Sequence, residues 1–466
     1  MGEIWRRSAT ELATAIASGE VSAVEVVQAH LDRIEAVNPS VNAVTLVLAD
    51  DALQAAKEAD RAVAAGESLG ALHGVPFTIK ENLDVAGSAT TQGLPALAGA
   101  IAPSDAPVVE RLRAIGAIPL ARTNLPDMGL RVHTESGLHG VTRNPFDGTK
   151  TAGGSSGGEA AALATGMSPL GLGNDIGGSL RNPAYCCGIA SLKPTSHRVP
   201  SAGATSPQEP FLAAQLMAVD GPMARRVADV RVGFQALIGA HSRDPFCAPV
   251  PFEGPALAAP IRVALVPEPP GGATTSTVAS AVRAAGDALA NAGYDVVEST
   301  PPLVEEAIDV WGRWLISEIA LLKPQLQGIM SPNALQFLDW AESSIGTVDY
   351  AGSFELMMKR HEIARAWSAF FDEHPLIVGP VWTGPAFSAG WDVESEANAL
   401  GTLELIRFVT PMNLLGLPAA AVPTGIVDGM PTGVQVVGRW FRDDLCLDGA
   451  EAIESALGTI TPIDPR

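Results

Sequence analysis

Cysteine is scarce: Cys186, Cys187, Cys247 and Cys446 are the only four in 466 residues. Two are adjacent and none forms a CxxC pair, which excludes a zinc ribbon and a disulfide scaffold and suits reduced thiols. Basic residues are also few. Lys and Arg total 30 against 51 Asp and Glu, a formal charge of −21. A surface that negative repels phosphate backbones and argues against a nucleic-acid partner. Charged residues make up 17% of the chain and apolar ones 47%, which buries a large core and excludes disorder. No run approaches about 18 uninterrupted apolar residues, so no membrane-spanning helix is expected. Met1 to Ser8 has no apolar signal-peptide core and no Ser or Thr at the myristoylation position. The expectation is a cytoplasmic protein, monomer or homodimer, that binds neither membrane nor nucleic acid.

Several catalytic motifs are missing too. The eight histidines fall in no HExxH or other ligand spacing, so no metal is implied. There is no GxSxG elbow, no GxxxxGK[ST] loop and no GxGxxG after a strand. No cofactor is called for.

What is present is an alternation of strands and helices. Ser8-x-x-Glu11 and Ser22-x-x-Glu25 fit capping boxes that open helices. The second helix carries Val26, Val27, His30 and Ile34 on one side, and Asn38-Pro39 is expected to stop it. Val75 to Lys80 reads as a short buried strand ending in lysine, and Ala117 to Ala121 as another. Glu159 to Thr165 reads as an Ala-rich helix, and the β-α-β theme returns from Ile261 to Glu298. Alternation of this kind predicts an α/β fold with helices covering both faces of a sheet. Residues 304–371 differ: they read as purely helical and carry Trp311, Trp314, Trp340 and Trp367. With no repeat and no linker, residues 1–466 are expected to form one domain with a helical excursion at about 304–371.

The most unusual stretch is Thr151 to Thr195. It holds two glycine-flanked serines, in Gly154-Ser155-Ser156-Gly157 and in Asp175-Ile176-Gly177-Gly178-Ser179. Glycine and serine serve ordinary turns, and that reading stands open. The same glycines also let consecutive backbone N–H groups converge, as an oxyanion hole requires. A serine there needs a base, and no histidine is an obvious partner. Lysine serves if burial disfavours its ammonium form, and Lys80 at the end of an apolar strand is the candidate.

At these residues the chain resembles the amidase signature family. The two serines lie 24 residues apart, and the lysine block reads Gly74-Val-Pro-Phe-Thr-Ile-Lys-Glu-Asn82. Further matches run in order: Arg122-Thr-Asn-Leu-Pro126, Leu192-Lys-Pro-Thr195, Gly221-Pro-Met-Ala-Arg225, Pro411-Met-Asn-Leu-Leu-Gly-Leu-Pro418 and Gly433-Val-Gln-Val-Val-Gly438. The resemblance implies an α/β/α sandwich around a large mixed sheet. It implies Ser179 as nucleophile, Ser155 as a bridging serine after a cis peptide bond, and Lys80 as base. It further implies an oxyanion hole of the N–H groups of Ile176, Gly177 and Gly178 with that of Ser179. Asp175 and Arg181 flank the nucleophile and either brace its loop or form a surface ion pair.

The departures are Ile176 where threonine is frequent, His197 where glycine is frequent, and the acids at Glu81 and Asp127. None touches Lys80, Ser155 or Ser179. They argue against the amidase-type subunit of a tRNA-dependent amidotransferase, the first alternative. A non-catalytic binding protein on the same scaffold is the second. The expected activity is hydrolysis of C–N bonds in neutral, partly aromatic amides, extending to esters and to the carbamates that urethane-cleaving members take. Met128, Gly129 and Leu130, the loop after Thr195, and Trp311 with Trp314 are expected to wall the substrate pocket.

Overall fold

The computed structural model describes residues 3–205 and 209–466. Its centre is one mixed sheet of eleven strands. In chain order these are β1 (Val44–Val47), β2 (Pro76–Lys80), β3 (Ile118–Thr123), β4 (Leu170–Asp175), β5 (Ala190–Lys193) and β6 (Val219–Ala224). They continue as β7 (Arg262–Leu265), β8 (Asp295–Glu298), β9 (Leu376–Pro380), β10 (Ala419–Val427) and β11 (Met430–Gly438). Across the sheet the order is β1-β3-β2-β4-β6-β5-β10-β11-β9-β7-β8.

The fold is α/β, as the alternation predicts. Strands β2 and β3 are buried along their whole length, which is why they read as apolar runs rather than alternating ones. Strands β2 and β4 pair in parallel, with Ile79 opposite Leu172. That register carries Lys80 and Asn174 to the same end of two neighbouring strands. The carboxyl ends of parallel strands are where open α/β sheets place their chemistry.

Both capping boxes form, at Ser8 with Glu11 and at Ser22 with Glu25. The second helix, Ala23–Val41, does not stop at Asn38-Pro39: Pro39 lies inside its last turn. The stop comes at Asn42, whose left-handed backbone (φ 55°) breaks the repeat. The Asn38 side chain accepts from the N–H groups of Ala43 and Val44 at 2.9 and 2.8 Å, turning the chain into β1. Residues 304–371 contribute three long helices, Val304–Leu326, Pro332–Ile345 and Tyr350–Glu373. Among the described residues no helix is long and apolar enough to cross a membrane.

Candidate active site

Three segments converge at the carboxyl ends of β2 and β4. Strand β2 ends in Lys80. The loop before the helix Gly157–Ala164 supplies Ser155, and the loop after β4 supplies Ser179. Lys80 is fully buried, and its Nζ donates to Ser155 Oγ at 2.6 Å and to Asn174 Oδ1 at 2.7 Å. Burial pushes its pKa down to about 7, against the upward pull of the Asp175, Asp220 and Glu159 carboxylates. The peptide bond between Gly154 and Ser155 is cis. The Ser155 and Ser179 loops touch through the Ser156 N–H, which donates to the Ser179 carbonyl at 3.3 Å. Ser179 sits on the wall of a cavity, its hydroxyl in no hydrogen bond with Ser155 among the described residues.

Asp175 and Arg181 form an ion pair, and it is buried rather than on the surface: both side chains are fully enclosed. The guanidinium meets both carboxylate oxygens, at 3.0 and 3.1 Å. Burial alone would push the Asp175 carboxyl up, but Arg181 holds it down at about 2. The same carboxylate accepts from the N–H groups of Gly178, at 2.7 Å, and Leu180, at 3.1 Å. Gly178 is therefore a correction to the expected oxyanion set, because its N–H is already engaged. Those of Ile176, Gly177 and Ser179 meet no acceptor among the described residues.

The cavity beside Ser179 encloses about 80 Å³. Its wall comprises Ile176, Gly177, Trp311, Leu315, Ile319 and Phe337, with further aliphatic residues of the long helices and the Leu403–Ile406 stretch. Gly129 and Leu130 line it, but Met128 does not, and neither do Trp314 or the loop after Thr195. Trp314 turns instead to Glu318, donating at 2.9 Å, and Thr195 is tied to Asp443. Gly129 also abuts Ser155: a Cβ built there would lie 3.3 Å from its Oγ. Arg131 belongs to the wall, yet its charge is matched. Asp392 accepts from it at 2.9 and 3.0 Å and Glu135 at 2.7 Å.

Two contacts have no role that the sequence assigns. Asn174 falls in the stretch Pro169-Leu-Gly-Leu-Gly-Asn-Asp175, which also fits the family but gives it no part, and the β2–β4 register sets it beside Lys80. Glu159, buried on the helix after Ser155, has its pKa pushed up to about 7 by burial against hydrogen bonds from Thr78 and Thr123. Its place under β2 has no short-range signal. No group of three or more His, Cys, Asp or Glu side chains capable of holding a metal occurs among the described residues.

The sequence model of the Amidase family matches residues 25–447. The chain belongs to the amidase family. Indoleacetamide hydrolase of Bradyrhizobium diazoefficiens is 40% identical over 98% of this chain and 88% of its own. A glutamyl-tRNA(Gln) amidotransferase subunit of Salinispora arenicola is 33% identical, over 99% of each chain. The solved structure of 6-aminohexanoate cyclic dimer hydrolase superposes with a TM-score of 0.85 at 28% identity, over 98% of each chain. This amidase is a hydrolase of carbon–nitrogen bonds other than peptide bonds.

Proposed function

We propose that this amidase hydrolyses neutral amides with a flat, apolar acyl or aryl part, and that Ser179, Ser155 and Lys80 carry the reaction. The observation that carries the reading is a buried lysine hydrogen-bonded to Ser155, next to a serine that opens onto an apolar, charge-matched cavity. Ser179 attacks the carbonyl, and its proton passes through Ser155 to neutral Lys80. The carbonyl oxygen gathers negative charge at the free N–H groups of Ile176, Gly177 and Ser179. Collapse of the tetrahedral intermediate breaks the C–N bond while the serine relay returns the proton to the leaving amine. Water then attacks the acyl-enzyme and regenerates Ser179.

The name of the indoleacetamide hydrolase relative supports an aromatic acyl group. Aryl carbamates and esters belong to the same proposed set, since each offers the carbonyl and a leaving group to the same atoms. All four thiols are free and buried, which suits a reducing, cytoplasmic setting. We read the whole chain as one catalytic unit, acting without a partner protein, as monomer or homodimer. A panel of indole-3-acetamide, p-nitroanilides, aryl carbamates and malonamate-like anionic amides tests this on the isolated chain. Neutral aromatic substrates should lead. A preference for the anionic ones, or activity only with a partner protein and charged tRNA, would overturn it.

A further inference from the structure

Trp311 lies on the helix Val304–Leu326, outside every motif that marks the site in sequence. Its indole Nε1 donates to the carbonyl of Ile176 at 2.9 Å. A trans peptide is planar, with its C=O and N–H on opposite sides. Holding the Ile176 carbonyl therefore fixes where the Gly177 N–H points. The neighbouring peptides are held by the same device. The Asp175 carbonyl accepts from Asn413 Nδ2 at 3.2 Å, that of Gly177 from Asn182 Nδ2 at 3.1 Å, and that of Gly178 from the Asn182 N–H at 2.6 Å. Four consecutive carbonyls are engaged, so four N–H directions are set. One of the four serves Asp175, and three are left for an incoming oxyanion. Ring and loop are also in contact: a Cβ at Gly177 would lie 2.6 Å from Trp311 Cζ2, so only glycine fits beneath the indole.

We infer that Trp311 is a positioning residue for the oxyanion loop, its N–H holding the Ile176–Gly177 peptide so that the Gly177 N–H meets the developing charge. This rests on the reading of Ser179 as nucleophile. Trp311 is then more than a wall of the cavity, and the two roles separate experimentally. A wall residue affects substrates according to acyl size. An oxyanion-positioning residue affects every acyl group alike, and in kcat rather than KM.

The test replaces Trp311 with β-(3-benzothienyl)alanine, which keeps the bicyclic shape but puts sulfur in place of N–H, and in parallel uses Trp311→Phe. Steady-state constants are measured for an acetyl and an arylacetyl p-nitroanilide, together with the rate at which a fluorophosphonate labels Ser179. Outright loss of an oxyanion donor lowers kcat by roughly a hundredfold or more, so a misaligned donor should cost on the order of tenfold. That loss is expected in kcat for both anilides, with KM little changed, and labelling should slow by a similar factor. A rise in KM confined to the arylacetyl substrate, with the acetyl substrate and labelling unaffected in the isostere, would overturn the inference. If the parent chain turned over no amide, the proposed function would fall, while the labelling rates would still decide the role of Trp311.

Discussion

Lys80 Nζ stands 2.6 Å from Ser155 Oγ, and no carboxylate forms an ion pair with it among the described residues. An ammonium donates to that hydroxyl but cannot accept its proton, so the relay requires neutral lysine. With burial setting the pKa at about 7, the rate should rise with pH through one ionisation close to neutrality and level off above it. Lys80→Ala should abolish amide hydrolysis yet leave some ester turnover, because an alkoxide leaving group needs less protonation. Lys80→Arg should be equally inactive on amides, since guanidinium stays charged at any usable pH. Parent-like amide turnover by the arginine variant would refute the lysine base.

The same burial has a stability consequence with a definite sign. Between about pH 7 and 10.5 the unfolded chain holds a proton on Lys80 that the folded chain lacks. Parent stability should therefore rise with pH across that window, and the full penalty should be present below it. Lys80→Met should raise Tm most at pH 6, with the gain shrinking toward pH 10. Thermal melts of both proteins from pH 6 to 10 check this, and a gain independent of pH would contradict it.

Ser179→Ala should lower turnover by several orders of magnitude while Tm stays near the parent value, because the hydroxyl opens onto the cavity rather than supporting the loop. Mass spectrometry after fluorophosphonate treatment should find the adduct on Ser179 alone. An adduct on Ser155 or Ser156 would exchange the roles of the two loops.

Asn174 offers a probe of Lys80 that leaves both serines untouched. Its Oδ1 accepts from Nζ at 2.7 Å, so Asn174→Asp sets a carboxylate in place of a neutral amide at that distance. An opposite charge so near favours the ammonium and raises its pKa by roughly 1–3 units. The rising limb of kcat/KM against pH should move to higher pH by at least about one unit. An unmoved midpoint would mean that a group other than Lys80 controls the limb.

Much of this arrangement is legible in the sequence. The buried run Val75–Lys80, the helix after Ser155 and the glycine loop at Ser179 are local, because strand burial, capping and loop composition leave their marks within a few residues. Asn174 needs the parallel register of β2 with β4, which no single segment specifies. Trp311 needs the path of a helix that reaches the loop from 135 residues away in sequence. Met128 and Trp314 show the opposite error. They are apolar neighbours of true wall residues, but Met128 sits at a left-handed turn (φ 54°) and Trp314, three residues after Trp311, lies off the helix face of Trp311, Leu315 and Ile319 and bonds to Glu318, so neither reaches the cavity. Gly178 fails for a similar reason. Its neighbours' N–H groups are free, and its own is claimed by a carboxylate three residues back.

The charge at the cavity wall is set by one buried cluster. Arg131 and Asp392 are both fully enclosed and meet through two hydrogen bonds, with Glu135 taking a third N–H. Burial opposes the guanidinium charge, but the two carboxylates outweigh it and hold Arg131 protonated. Asp392→Asn keeps the shape and removes one negative charge, leaving Glu135 as the only counter-charge bonded to the arginine. Breaking a buried pair costs about 3–5 kcal/mol where no other partner remains, so the loss of stability should fall at or below that range. The arginine, with one counter-charge in place of two, then stands on a wall shared with Gly129, Leu130 and Ser179, and the local charge rises by one. Substrate preference should shift with it: the ratio of kcat/KM for malonamate-like anionic amides to that for p-nitroanilides should rise several-fold, and more at low ionic strength. The two measurements separate the causes. A lower Tm with an unchanged ratio would mean that Arg131 braces the wall without its charge being felt in the cavity, and that the aliphatic side chains alone exclude anions.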